Sequence, residues 1–134
     1  MRNNIQRFRR SKTNELAGMS KHALMMRMYK EVYKQLDKCE YIMRNRNQYT
    51  ISDFFTVKAK CLGKVLSISS YLINTTDLSA DEEIGELFVK MYNYIYINAS
   101  QANLKIELEP VLRAKNMSHK LMDVWDSIPE SARY

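Results

Sequence analysis

MYNYIYINASQANLK, residues 91–105, is the stretch whose reading decides the fold. Tyr92, Tyr94 and Tyr96 alternate as in a β-strand, and no charge occurs from Met91 to Gln101. Taken alone, the stretch fits a strand, a buried helix or a surface covered by a partner. A wider window fixes the period. At 100° per residue with Phe88 as zero, Ile84, Met91, Tyr92, Ile95, Ala99 and Ala102 fall within about 60° of it, one coherent core face. Tyr94 and Tyr96 take opposite shoulders of that face, near about 240° and 80°, and Ile97 points away from it. The tyrosine alternation is then a local coincidence on a helix that is apolar over more than half its circumference.

The same period recurs along the chain. Met25, Tyr29, Val32, Leu36, Cys39 and Met43 follow at alternating steps of four and three, the seam of a helix packed along other helices. That helix runs from Ser20, its N-cap, to about Asn45. RNRNQYTIS breaks the pattern. Ser52 then caps a second helix over about 53–73, with Cys61, Val65, Ile68 and Leu72 as its seam. NTTDLSADEE supplies turn formers and a capping box, with Ser79 as N-cap and Glu82 three residues on, so the third helix runs to about Leu104. A fourth opens near Pro110, carries Ala114, Met117, Leu121, Trp125 and Ile128, and stops before Pro129. Four helices of ~20 residues, each ~30 Å long and joined by short loops, predict an all-α, antiparallel four-helix bundle.

Composition agrees with one domain. The chain has 134 residues, 46% hydrophobic and 27% charged, with only three Gly and two Pro to build turns. That scarcity disfavours a many-stranded fold. Arg2, Arg7, Arg9, Arg10 and Lys12 crowd the first 14 residues with no acid, and the formal net charge is +6. The rest of the chain is nearly neutral. A basic, flexible N-terminal arm over 1–18, a helical domain over 19–130 and a short tail over 131–134 describe this organisation. An alternative function follows from the arm alone: a helical bundle that binds nucleic acid or an anionic surface through it. No nucleic-acid module signature supports that alternative, and nucleic acid is not the expected partner.

Chemistry is sparse. Cys39 and Cys61 have neither CxxC spacing nor a partner His, so they read as buried apolar residues of a reducing compartment. His22 and His119 read as solvated or cap-region helix residues. No catalytic constellation, metal-ligand set, cofactor loop or nucleophile elbow occurs, which points away from an enzyme, a metal site or a cofactor. No run of about 18 apolar residues predicts a membrane span, and the start lacks a signal h-region, so the expected location is the cytosol without membrane insertion.

What remains is surplus apolar surface. A helix needs an apolar arc of somewhat over 100° to face a core. The third helix exceeds this through Tyr94, Tyr96 and Ile97, and the first through Met26 and Tyr33 beside its seam. Contiguous exposed apolar patches mark partner sites, and these five residues are the candidate groove.

With the third helix in view, EIGELFVKMYNYIYINASQANLK over 83–105 resembles the central signature of the flagellar export chaperone family, FliS, approximately EIxxxLxxLYDYMxRRLxxANLK. Glu83, Ile84, Tyr92, Tyr94, Ala102, Asn103, Leu104 and Lys105 match without a gap, and Phe88, Met91 and Ile95 are apolar replacements. The first-helix signature SPxxLLxMLYDGA is matched at Ser20, Leu24, Met25, Met28 and Tyr29, and the tryptophan near the end of the fourth helix at Trp125. Lys21 replaces the usual Pro, Lys30-Glu31 replaces Asp-Gly, Ile97-Asn98 replaces an arginine pair, and Phe8 stands for an N-terminal Tyr. This is a divergent member of the pattern.

The resemblance implies a cytosolic bacterial chaperone. It would bind the C-terminal segment of flagellin, prevent premature polymerisation and support delivery to the flagellar type III export apparatus, with export-gate components as further partners. It also implies that the chain's own N-terminal segment occupies part of the groove beforehand, a cap role that falls to Ile5 and Phe8. The oligomeric state stays open, a homodimer included.

Overall fold

The structure, a computed structural model, describes residues 20–79 and 81–129. The arm with Ile5 and Phe8, and the tail, lie outside the described residues. Four helices follow in order: α1 (Lys21–Arg44), α2 (Ile51–Thr75), α3 (Glu82–Leu104) and α4 (Leu108–Asp126), with a single 3-10 turn, Arg46–Gln48, between the first two. No strand occurs among the described residues. Each helix packs against its chain neighbours, and α4 returns to α1, closing a square. The expected four-helix bundle is what the chain forms.

Side-chain contacts fix the directions. His22 at the start of α1 meets Trp125 at the end of α4. Lys58 near the start of α2 reaches the carbonyl of Asn103 at the end of α3. Asn98 of α3 accepts from Arg113 of α4, fifteen residues along a tight connection. Neighbours are therefore antiparallel throughout.

The helix ends show where local chemistry was read well and where it was not. Ser20 caps α1 as expected, its hydroxyl accepting from the amide of Ala23. Ser52 does not cap α2: Thr50 does, accepting from the amide of Asp53, and Ser52 lies inside the first turn. Ser79 does not cap α3 either. Its hydroxyl and amide both donate to the Asp77 carboxylate, a local Asx turn that occupies the group a cap would need. Asp81 takes the role, accepting from the amide of Ile84. Pro110 sits in the first turn of α4, where its missing N–H is harmless.

The core runs down the centre through Tyr29, Leu36, Leu62, Val65, Ile95 and Leu121, all buried. Ala99, Ala102 and Ala114 are fully covered and let α3 and α4 approach closely. Cys39 and Cys61 join this core as free thiols, and burial pushes the Cys39 thiol up to about 12. At physiological pH it is a small apolar group, not a nucleophile. Every buried side-chain nitrogen or oxygen among the described residues has a hydrogen-bond partner. Burying a polar group without one is costly, so the bundle is internally consistent.

One residue departs from the expected core face. Ile84 has the angular position of a core residue but is 53% exposed. It lies in the first turn of α3, on the wall of an open cavity at the end of the bundle, so angle alone does not bury it. The neighbouring Gly85 is buried because Leu78 of the preceding loop folds over it; a Cβ there would stand 2.7 Å from a Leu78 methyl.

Candidate functional site: an apolar seam and an end cavity

Contacts between helices place the surplus apolar residues. The Asn98 side chain accepts from Arg113 Nε at 2.8 Å and donates to the Tyr94 carbonyl one turn earlier. Tyr94 thus stands on the α4 side of α3. Leu87 lies eleven residues before Asn98 and Val124 eleven after Arg113. Eleven residues are about three turns, roughly 16 Å of helix, so in antiparallel helices the two stand level on one seam. Half-buried Met117, one turn beyond Arg113, is level with Tyr94 by the same count. Leu87 is 58% exposed, Ile97 54% and Val124 46%. The outer edge of the α3–α4 interface is thus an apolar strip about three turns long.

The five candidate groove residues do not all meet there. Tyr94 belongs to the α3–α4 strip, and Ile97, three residues on, is exposed on the outward face of α3 beside it. Tyr96 is on the other side, two turns before Asn103, whose carbonyl accepts from Lys58 of α2. Tyr33 is half-buried between α1 and α4: its ring lies 5.9 Å from that of His119, with the Lys115 ammonium 5.3 Å from the Tyr33 centroid. Met26 borders a shallow polar groove with Lys30, Lys34 and Asp126. Leu87 and Val124 were missed in the sequence. Leu87 precedes the uncharged run, and Val124 is a lone apolar residue outside its helix's seam, so neither stands out until two helices are put side by side.

A second apolar feature closes one end of the bundle. The start of α1, the end of α2, the start of α3 and the end of α4 surround a cavity of about 530 Å³. Met25, Met28, Leu72, Phe88, Trp125 and Ile128 line it, with Lys21, Asp77 and Asp81 among its polar residues. Its wall is built by a double clasp. The His22 ring nitrogen Nε2 donates to the Trp125 carbonyl at 2.8 Å, and Trp125 Nε1–H donates to the His22 carbonyl at 2.9 Å. The two rings stack at 5.4 Å. His22 is therefore a buried tie between helix ends: of the two expectations, solvated or cap-region residue, its place in the first turn of α1 fits the second. Phe88 and Tyr29 meet the Trp125 ring edge-on at 5.8 and 5.7 Å, which holds the indole across the opening.

Charged groups do not assemble into a catalytic or metal site among the described residues. No group of three His, Cys, Asp or Glu side chains there could hold a metal ion. Lys115 bridges Asp37 at 2.7 Å and Glu40 at 2.9 Å, tying α4 to α1; these carboxylates hold the Lys115 ammonium above its ordinary range, while Lys115 and Arg44 hold the Glu40 carboxyl below its own. Lys58 is buried with its ammonium on the Asn103 carbonyl at 3.3 Å, and burial lowers its pKa. These are braces between helices. No described helix is long and apolar enough to cross a membrane.

A comparison with the curated proteins returned no match. The family model described as flagellar protein FliS matches residues 2–132, nearly the whole chain. The four-helix bundle agrees with that match: the chain is a member of the FliS family, the flagellar chaperones that bind flagellin.

Proposed function

We propose that this chain is a cytosolic export chaperone that holds the C-terminal segment of flagellin as an amphipathic helix along the α3–α4 seam. The carrying observation is the exposed apolar strip of Leu87, Tyr94 and Val124, with Ile97 beside it. A helix laid in such a groove presents anchors at steps of three and four residues, which a strip about three turns long accommodates. Covered in this way, the client segment cannot polymerise. Because the client is ordered only on binding, part of the interaction energy is lost to that ordering, which keeps the complex releasable at the export gate without a nucleotide switch.

In this reading Ile5 and Phe8 act as an intramolecular cap. They are the large apolar residues of the basic stretch 2–14, and Ser20, at the start of α1, lies beside the mouth of the end cavity. A twelve-residue reach from Phe8 to Ser20 spans the cavity easily.

The test is a calorimetric titration of the full chain with a peptide of the flagellin C-terminal segment. Wild type should bind, and Leu87→Asp/Ile97→Asp should bind at least about tenfold more weakly while melting as a folded protein. Absence of binding by the wild type overturns the function. Equal binding by the variant overturns the seam.

A further inference from the structure

The body of the chain is nearly neutral in sum, but the fold sorts its charges. The α1–α2 half, residues 20–76, carries ten Lys and Arg against four acids, whereas residues 77–129 carry five against nine. Since the helices close a square in chain order, the α1–α2 and α3–α4 faces are opposite sides of the bundle. Charge neutrality in the sequence has become a dipole across the molecule.

The cations on the first half form rows on the exposed sides of α1 and α2, with Lys34 also bordering the groove that α1 shares with Asp126. Lys34 and Lys38 are one turn apart on the exposed side of α1, and Lys60 and Lys64 one turn apart on α2. Lys60 and Lys64 flank buried Cys61 on α2, and α1, which carries Lys34 and Lys38, packs beside that helix; Lys38 also acts electrostatically on the Cys61 thiol. Among the described residues none of these four makes an ion pair, although Lys115 and Arg44 do. The acids of α1 are otherwise engaged: Glu31 accepts from Gln35, and Asp37 and Glu40 from Lys115.

We propose that the α1–α2 face binds an anionic lipid surface peripherally, leaving the α3–α4 seam turned toward water. Exposed lysines that form no ion pair, spread over two neighbouring helices, suit a charged plane. Lysine offers a hydrated point charge and not the bidentate fork that recognises individual phosphates. Single-stranded nucleic acid needs aromatic platforms among the cations, and none separates these four. The exposed Tyr71, two turns past Lys64 on the same side of α2, suits the headgroup layer. The acidic opposite half is repelled by the same surface, which sets the orientation. This inference does not depend on which client occupies the seam.

The test is co-sedimentation of the full chain with vesicles of phosphatidylcholine alone or with about a third phosphatidylglycerol, each lysine near the surface contributing about 1 kcal/mol, close to fivefold. Wild type should bind only the anionic vesicles and release as salt rises. The variant Lys34→Gln/Lys38→Gln/Lys60→Gln/Lys64→Gln should bind more than about tenfold more weakly with an unchanged melt. Lys90→Gln/Lys120→Gln, on the opposite half, should bind as wild type. Arg7→Gln/Arg9→Gln/Arg10→Gln should retain measurable binding. The proposal is overturned if the four-lysine variant binds as wild type, or if the arm variant alone removes all binding. It is also overturned if wild type ignores anionic vesicles but captures single-stranded RNA or a polyglutamate peptide through these lysines.

Discussion

The hydroxyls of Tyr29 and Tyr92 meet 2.6 Å apart in the buried core, joining the diagonal helices α1 and α3. Each satisfies the other, and neither is accessible to water. Replacing one by Phe leaves an unpartnered buried hydroxyl. Tyr29→Phe and Tyr92→Phe should therefore each cost about 1–2 kcal/mol, and the double variant less than the sum. Urea melts of the four proteins measure the coupling.

The same pair sets an alkaline limit. Burial raises the pKa of both hydroxyls above the ordinary value of 10.0, for Tyr29 with a further contribution from Tyr92. The folded state therefore holds these protons more tightly than the unfolded chain. Their contribution is complete below about pH 10 and is lost as pH rises beyond it. Stability measured between pH 9 and 11 should fall more steeply for wild type than for the double Phe variant.

Lys58 acts in the opposite direction. Its pKa is lowered by burial, so the folded state binds this proton less tightly and stability rises with pH toward the unfolded value of 10.5. Lys58→Met keeps the stem volume and removes the charge. It should change stability at pH 7 by less than about 1.5 kcal/mol and abolish this rise, whereas Lys58→Ala should be clearly destabilising. Chemical melts at pH 7 and 9.5 separate the two effects.

Position within α3 decides what a charge does. Ile95 is 2% exposed and Ile97 is 54% exposed. Ile95→Asp buries a carboxylate and should unfold the bundle, while Ile97→Asp should stay folded. Circular dichroism melts give the comparison directly.

The two shoulder tyrosines should differ in binding. Tyr94 lies on the α3–α4 seam and Tyr96 on the α2 side, so Tyr94→Ala should weaken the flagellin peptide complex by roughly 1–2 kcal/mol and Tyr96→Ala by much less. The reverse order would move the client groove to α2–α3.

Trp125 should be the least replaceable side chain at the cavity. Trp125→Ala removes the indole clasped to His22 and three ring contacts, and should cost about 3–5 kcal/mol. Trp125→Phe keeps most of the packing and loses the bond to the His22 carbonyl, a loss of about 1 kcal/mol. Thermal melts should rank the two accordingly.

Much of the fold was legible because it is written in a one-dimensional period. The steps of three and four at Met25, Tyr29, Val32, Leu36, Cys39 and Met43, and at Ala114, Met117, Leu121 and Trp125, require helices whatever surrounds them. Ser20 was legible as a cap because nothing else competes for its hydroxyl. Ser79 was not, since the nearby Asp77 carboxylate captured it. Ile84 has the right angle for the core and the wrong height, because a periodic pattern carries no information about where the other helices end.

The sequence by itself determined four helices, their faces, the clustering of basic residues in the first 14 positions and the family signature over residues 83–105, for these depend on local spacing and residue identity. Only the tertiary structure decided which surfaces exist. It split the five candidate groove residues among three seams and joined Tyr94, with Ile97 beside it, to Leu87 and Val124. It also placed α1 and α2, with their excess of basic residues, opposite the acidic half. Each of those relations joins residues from different helices, and the relative rotation and height of two helices are fixed by how their side chains pack, not by the period of either one.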